Sequence, residues 1–157
     1  PTNRRRLMIH SKVVDAKKDK ISLEKAQTFI SSEKCGASLF FVGTVRNHNN
    51  NKNVTGITYD SHDSMVVKSF NEIYEEAIIK LKVEHPVVFI EHAKGYISLG
   101  GISIIIAVAC KHRAQVFELS RYMIEEIKKR TPIWKKEHYD DNKESWLKGT
   151  PLVDNKI

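Results

Sequence analysis

One apolar run decides the fold of this chain. It reads Ile-Ser-Ile-Ile-Ile-Ala-Val-Ala-Cys from Ile102 to Cys110. A run of this kind, rich in β-branched residues, is typical of a strand buried on both faces, so we expect it at the centre of a sheet. A helix is predicted directly after it, from residue 114 to about residue 130. Its apolar residues recur at helical spacing: Val116, Leu119, Met123 and Ile127. Pro132 ends this helix, since a proline disfavours the helical backbone in the residue before it.

The rest of the chain predicts strands and helices on either side of this unit. Further strands are expected over residues 7–14, 37–45, 54–60, 87–92 and 133–139. We expect the apolar segment 37–45 to be buried and the Asn-rich segment 46–53 to be a polar loop. One helix is predicted after the cap residue Ser22, and a second, amphipathic one over residues 66–81, closed by Pro86. Glycines join strand 87–92 to the central strand: Gly95, Gly100 and Gly101.

This order of elements predicts one α+β domain in which helices cover a largely antiparallel sheet. The length of 157 residues also fits a single domain, here residues 1–157. We expect residues 1–6 to be a basic N-terminal tail and residues 147–157 to be a flexible C-terminal tail.

Composition limits the function classes. The chain is 41% hydrophobic and 29% charged, which is typical of a globular protein. Its net charge of +7 suggests an anionic partner, without separating nucleic acid, membrane and small phosphate. Two cysteines cannot form a disulfide framework or a four-thiolate zinc site, and the histidines lack zinc-ligand spacing. No apolar run approaches the ~20 residues of a membrane span, so we expect a cytoplasmic protein with reduced thiols and no metal.

Two lysines flank the turn at Pro132. Lys128 lies in the last turn of the predicted helix, where a cation is favoured by the helix dipole, and Lys135 follows seven residues later. The turn can bring both ammonium groups to one point, and Trp134 between lysines can form the wall of a pocket. The alternative is an ordinary basic helix end followed by a solvated strand.

Two further basic segments are candidate anion sites. His112 and Arg113 open the helix, where free N–H groups and an arginine fork suit a phosphate or carboxylate. The alternative is that His112 only caps the helix and Arg113 is solvated. Arg46 leaves the end of a strand, a place where binding sites gather, although an arginine in a polar loop is usually solvated.

Two other interpretations stay open at this point. Cys110 and His112 are spaced to share one face of a strand, as a Cys–His nucleophile would need, but a small core residue is the simpler interpretation of Cys110. Trp134 or Tyr139 could stack on bases in a basic nucleic-acid-binding domain, although the chain contains no recognised binding motif.

Three segments together resemble one family. They are Gly43-Thr44-Val45-Arg46-Asn47-His48-Asn49, His112-Arg113, and Lys128 with Pro132-Ile133-Trp134-Lys135-Lys136-Glu137. Their order and spacing are similar to those of the large, catalytic subunit of molybdopterin synthase, the MoaE family, over about residues 7–146. The Pro-Ile-Trp-Lys-Lys-Glu segment is the most specific part. Departures from the family pattern occur at Ala93, at Gly100 and over residues 59–62.

The resemblance implies a fold, a reaction and an assembly. The fold is an α/β-hammerhead with an additional small antiparallel sheet. The reaction is a sulfur transfer from the C-terminal thiocarboxylate of a small ubiquitin-like carrier, ending in Gly-Gly, to cyclic pyranopterin monophosphate. It forms the dithiolene of molybdopterin in molybdenum cofactor biosynthesis, and no cofactor is expected. The large subunit is a homodimer at the centre of a heterotetramer, without nucleic acid or membrane.

Carried onto this sequence, the family's catalytic lysines are Lys128 and Lys135. Its substrate-binding positions are Arg46, His112 and Arg113. Both reactants are anionic, so a pocket that collects these cations would offset their mutual repulsion. Because like charges held together favour loss of one proton, we expect one lysine to act as acid/base or acyl acceptor while the other stays charged. Which lysine takes which role is left open.

Overall fold

The computed structural model describes residues 8–140 and the backbone of residues 144–146. Both predicted tails, 1–6 and 147–157, lie outside the described residues. The elements in chain order are β1 (Ile9–Asp15), α1 (Leu23–Ile30), β2 (Ala37–Thr44), β3 (His48–Asn49), β4 (Lys52–Ser61), α2 (Asp63–Leu81), β5 (Val87–Ser98), β6 (Ile102–Cys110), α3 (Arg113–Arg130), β7 (Ile133–Tyr139) and β8 (Glu144–Trp146).

Strand β5 belongs to two sheets and so organises the fold. Its first half pairs in parallel with β1 and antiparallel with β6, which in turn pairs with β2. Its second half pairs with β4, which pairs with β7, and β7 pairs with β8. The prediction that this strand ends at residue 92 is wrong, because Gly95 adopts φ +95° and lets the strand bend and continue to Ser98.

Strand β6 is buried on both faces, as predicted. Ile106 and Val108 on one face pack in a core with α2 and α3. Ile105 and Ala107 on the other face pack in a second core with α1. The α+β fold class is confirmed: helices cover both faces of the main sheet. The second, small antiparallel sheet matches the additional sheet that was expected beside the α/β-hammerhead.

Strand β2 is not buried, contrary to the prediction. Among the described strands it pairs with β6 alone, so it forms an edge of the main sheet. Its apolar residues, including Phe40 and Val42, are only partly buried. The spacing of apolar residues and the composition of a segment do not distinguish a buried strand from an apolar strand at the edge of a sheet. An apolar open edge is a template for pairing with another chain.

The loop predicted over residues 46–53 is partly a hairpin. Strand β3 pairs with the start of β4 across a two-residue turn, Asn50 and Asn51. Both adopt positive φ, at 50° and 60°, a conformation that asparagine tolerates and that hairpin turns require. The turn holds β3 beside β4, and it thereby fixes Asn49 next to the second sheet.

Helix ends follow local chemistry. The Ser22 side chain accepts a hydrogen bond from the backbone N–H of Lys25, which confirms the predicted cap of α1. Helix α2 ends at Leu81, as its predicted range does, because Lys82 takes the left-handed conformation and donates its N–H to the carbonyl of Ile78. None of the described helices is long and apolar enough to cross a bilayer.

Candidate active site

A cavity of about 260 Å³ lies where the two sheets meet the C-terminal half of α3. Residues of β2, β4, β5, β6 and β7 form most of its wall. The polar lining residues are Thr44, Arg46, Asn49, Tyr59, His92, Ser103, Lys128, Lys135 and Glu137. This cavity therefore collects most of the basic residues that the sequence singled out.

The turn at Pro132 brings Lys128 and Lys135 into this cavity. Thr131 closes α3 by donating its N–H to Ile127, and Ile133 donates to the carbonyl of Thr131 as β7 begins. Both lysines are half-buried in the single chain. The turn thus places the two ammonium groups around the same enclosed space.

The neighbouring lysines lie elsewhere, as strand and helix geometry requires. Lys129 is exposed and forms an ion pair with Glu126 at 3.6 Å on the outer face of α3. Lys136 does not line the cavity, because successive residues of a strand point to opposite faces. The same alternation places Trp134 on the outer face with 43% of its surface exposed. The expectation that Trp134 walls the pocket is therefore wrong.

Arg46 also lines the cavity, although it is exposed overall. Val45, immediately before it, is buried and fixed on both sides by the β5–β6 turn. Its N–H donates to the carbonyl of Gly101 at 3.1 Å, and its own carbonyl accepts from Gly100 at 2.8 Å. A fixed backbone so close to Arg46 holds this residue at the cavity wall.

His112 and Arg113 lie at the other end of α3. Both are exposed, and neither lines the cavity. Arg113 and Lys128 are fifteen positions apart in this helix, which corresponds to about 22 Å along its axis. Gln115 accepts a hydrogen bond from the His112 backbone N–H, so His112 is the N-cap residue of α3. Within one chain, the predicted substrate-binding set is therefore divided between two places.

Glu137 is a cavity residue that the sequence reasoning did not single out. Its side chain is buried at 2% exposure. It accepts hydrogen bonds from the Asn49 amide at 2.6 Å and from the Tyr139 hydroxyl at 2.8 Å. The available signal was its position two residues after Lys135 in a strand, which places both side chains on one face. Glu137 gives the basic cavity one buried countercharge.

His92 is a second residue whose place the sequence did not predict. The ring is 2% exposed, as expected of a packed histidine, yet it lines the cavity. Burial is the main cause that lowers its pKa to about 4; the charge of Lys135 acts in the same direction, and a hydrogen bond to the Ala93 carbonyl opposes the shift. His92 is therefore a neutral imidazole at physiological pH.

The Cys–His nucleophile is excluded by the structure. Cys110 is completely buried, and burial raises the pKa of its thiol to about 12, so it carries no thiolate. His112 is exposed beyond the end of the strand. Cys110 is a core residue, as the simpler interpretation predicted. Among residues 8–140, no group of three His, Cys, Asp or Glu side chains is placed to hold a metal ion.

The cavity chemistry suits anionic reactants. Lys128, Lys135 and Arg46 supply three cations, and Glu137 supplies one buried carboxylate. In a partly enclosed space, such charges act more strongly than in bulk water. A lysine amine can also transfer a proton or attack an acyl carbon. The arrangement is therefore suited to acyl or phosphate-bearing anions.

Sequence comparison places the chain among known proteins. The family model of the MoaE protein matches residues 16–130. A molybdopterin synthase catalytic subunit from Pyrococcus abyssi is 32% identical over 140 residues, which cover 88% of this chain and 93% of that protein. The one from Synechococcus elongatus is 38% identical over 132 residues, covering 84% and 79%. The one from Drosophila melanogaster is 36% identical over 88% of this chain, which spans only 37% of that longer protein.

Solved structures agree with the sequence matches. Molybdopterin synthase from Staphylococcus aureus superposes with a TM-score of 0.80 at 28% identity, covering 88% of this chain and 96% of that one. A complex of subunits 1 and 2 of the molybdopterin-converting factor from Helicobacter pylori shares the fold, with a TM-score of 0.70 at 24% identity and coverage of 90% and 92%. With these matches over most of its length, the chain belongs to the MoaE family, that of the molybdopterin synthase catalytic subunits.

Proposed function

We propose that this chain is the catalytic subunit of a molybdopterin synthase, a sulfurtransferase of molybdenum cofactor biosynthesis. It transfers sulfur from the C-terminal thiocarboxylate of a small ubiquitin-like carrier to cyclic pyranopterin monophosphate, and so forms the dithiolene of molybdopterin. The observation that carries the proposal is the convergence of Lys128, Lys135 and Arg46 on one cavity in a chain of this family.

Charge explains why the cavity is basic. The carrier brings a thiocarboxylate and the pterin brings a cyclic phosphate, so the two reactants repel each other in water. Three cations around about 260 Å³ offset that repulsion and hold the anions together. The overall charge of +7 favours the approach of both.

The two lysines carry the chemistry in this proposal. When the carrier's C–S bond breaks and leaves its sulfur on the pterin, one ammonium stabilises the negative charge that develops. The carrier's acyl carbon is then bonded either to the amine of the other lysine, as an amide, or to the oxygen of a water from which that lysine removes a proton, as a carboxylate. Glu137, held by Asn49 and Tyr139, is a fixed countercharge beside them. This scheme uses lysine side chains and the two reactants, with no cofactor.

The carrier delivers its sulfur through an extended tail. A Gly-Gly terminus is narrow enough to enter a cavity of this size, and Arg46 in the cavity wall can receive its charge. The related Helicobacter pylori structure contains two subunits of a molybdopterin-converting factor, the kind of assembly that we propose here. We place the reaction in the cytoplasm, because Cys35 and Cys110 are both free thiols.

A homodimer at the centre of a heterotetramer completes the proposed site. Among the described strands, β2 pairs with β6 alone, so its other edge can pair with the β2 strand of a second copy. Two β2 strands paired antiparallel about a two-fold axis would place the Ala37 end of one beside the Thr44 end of the other. Ala37 pairs with Cys110, so the start of the partner's α3 would lie near Arg46 of the first copy.

This arrangement reunites the predicted anion-binding residues. His112 and Arg113, about 22 Å from Lys128 in their own chain, would reach the cavity of the partner. Each cavity would then hold Arg46, Lys128 and Lys135 from one copy and His112 and Arg113 from the other. Two equivalent cavities would serve two carriers.

Reconstitution tests the proposed function. Purified chain, pterin substrate and carrier with a C-terminal thiocarboxylate are mixed, and mass spectrometry follows the sulfur content of the pterin. We expect two sulfur atoms to be gained. A carrier without its last two glycines should transfer none, while a carrier with an ordinary carboxylate controls for binding without sulfur. Undiminished transfer from the truncated carrier would contradict the proposal.

A further inference from the structure

His92 lies in the cavity wall, in contact with a residue of the neighbouring strand. It is on β5, and its ring packs edge-on against Tyr59 of β4, with ring centres 4.9 Å apart. Tyr59 pairs with Lys135 of β7 in the neighbouring strand register. The imidazole, the phenol ring and the lysine therefore come from three adjacent strands and line the same cavity.

One hydrogen bond fixes the tautomer of the ring. His92 Nδ1 lies 2.7 Å from the carbonyl oxygen of Ala93. A carbonyl only accepts, so Nδ1 carries the proton and Nε2 carries a lone pair. Within residues 8–140, this is the hydrogen bond that the ring makes, and Nε2 is left to accept from a group inside the cavity.

The surroundings keep this acceptor uncharged. Burial and the nearby charge of Lys135 both lower the pKa of His92, to about 4. The titratable or charged groups that face the cavity with it are Arg46, Tyr59, Lys128, Lys135 and Glu137. A neutral acceptor differs from a carboxylate here, because it can orient an ammonium group without cancelling its charge.

We propose that His92 positions Lys135 for sulfur transfer: its Nε2 accepts a hydrogen bond from the Lys135 ammonium when the reactants fill the cavity, and so aims that charge at them. This inference rests on the proposed function and adds a residue to it. Hydrogen bonds of this kind are often long in an empty site and tighten in the reactive complex. His92 acts through Lys135 and leaves the ammonium charge available to the anionic reactants.

Two variants separate this role from a structural one. His92→Gln can place an amide oxygen near the position of Nε2, and His92→Asn can place an amide N–H near that of Nδ1. The rate of sulfur transfer in a single turnover, with preloaded carrier, is the readout. We expect His92→Asn to lower it by about 10- to 100-fold and His92→Gln to restore most of the loss, since small misplacements of a catalytic group have costs of this size. The reverse order, or an equal loss in both, would show a structural role and overturn the inference.

Two further measurements complete the test. In a Lys135→Ala background, His92→Asn should reduce the rate no further, whereas an undiminished additional loss would contradict action through Lys135. Long-range proton–nitrogen NMR correlations on the histidine-labelled wild-type protein should show Nδ1 protonated and Nε2 bare from pH 8 to pH 5. A protonated Nε2 in that range would overturn the inference whether or not the chain transfers sulfur. Failure of wild-type sulfur transfer with a bare Nε2 would instead count against the proposed function and, with it, against the role of His92 there.

Discussion

The two ends of helix α3 carry the same kind of residue in different surroundings. At the C-terminal end, Lys128 is half-buried and lines a cavity with Lys135 and Arg46. At the N-terminal end, His112 and Arg113 are exposed, about 22 Å away. The sequence assigns both ends to one anion site, and the structure of one chain assembles only the first. In the homodimer that we propose, a second copy would supply the rest.

The largest expected effect is on the rate of sulfur transfer, and we expect it for the two cavity lysines and not for the lysines next to them in the sequence. Lys128→Ala and Lys135→Ala should each slow the single-turnover rate by ~100-fold or more, because each removes an acid/base or charge-stabilising group. The matched controls Lys129→Ala and Lys136→Ala remove equal charge outside the cavity and should do far less. Equal losses in all four variants would mean that the lysines act as a diffuse positive field.

The buried His92 in the cavity wall should make the free energy of unfolding depend on pH. His92 has its pKa lowered from the ordinary 6.5 to about 4, so the unfolded chain binds this proton more readily than the folded one. Stability should therefore fall as pH drops from about 6.5 toward 4, by an amount on the order of 3 kcal/mol. Urea unfolding at pH 7 and pH 4.5 measures it. His92→Gln should lose less stability over that interval, and an identical loss would rule out this origin.

The exposed end should affect binding rather than folding. Arg113→Ala should weaken binding of the pterin or the carrier by about 2 kcal/mol, the lower part of the range for an unpaired charge partner, because the side chain is not buried in one chain. Arg46→Ala should behave alike if both arginines serve one cavity. The control is Lys111→Ala, the loss of an exposed cation beside the helix start. Titration calorimetry gives the affinities, and wild-type affinity for both ligands in Arg113→Ala would refute its binding role.

The smallest expected effect is a loss of stability at the N-terminal cap of α3 without a loss of activity. Gln115→Ala removes the acceptor for the His112 backbone N–H. We expect a loss of about 0.5–1 kcal/mol in unfolding free energy, as for other helix caps, with the single-turnover rate unchanged. A large rate loss in this variant would show that the cap geometry itself orients His112 for binding.

Local sequence signals predicted most elements of the fold. The periodicity of α2 and α3, the cap at Ser22 and the apolar run of β6 each follow from interactions close in sequence, and each was correct. The predictions are wrong where contacts between residues far apart in the sequence determine the structure. An apolar run predicted a buried β2, but its position at the sheet edge depends on which strands pair. Gly95 predicted the end of a strand, whereas in the structure its positive φ bends β5, which continues beyond it.

The sequence predicts which types of residue form the candidate site, but it predicts only part of their arrangement in space. Lys128 and Lys135 flank one proline turn, so their approach followed from local structure. His92 and Glu137 reach the cavity only through the pairing of β4 with both β5 and β7, which no spacing in the sequence records. The division of the basic residues between the two ends of α3 follows from the length of that helix.

Hybrid dimers test most directly whether two copies complete each cavity. Differently tagged Lys128→Ala and Arg113→Ala chains are co-expressed, and the dimer that carries both tags is purified. If Arg113 serves the partner's cavity, one cavity of this dimer carries both substitutions and the other carries none. The single-turnover sulfur transfer per dimer should then return to about half of the wild-type level. If Arg113 serves its own chain's cavity, each cavity keeps one of the two defects, and a rate equal to the mean of the two variants' own rates would contradict the account.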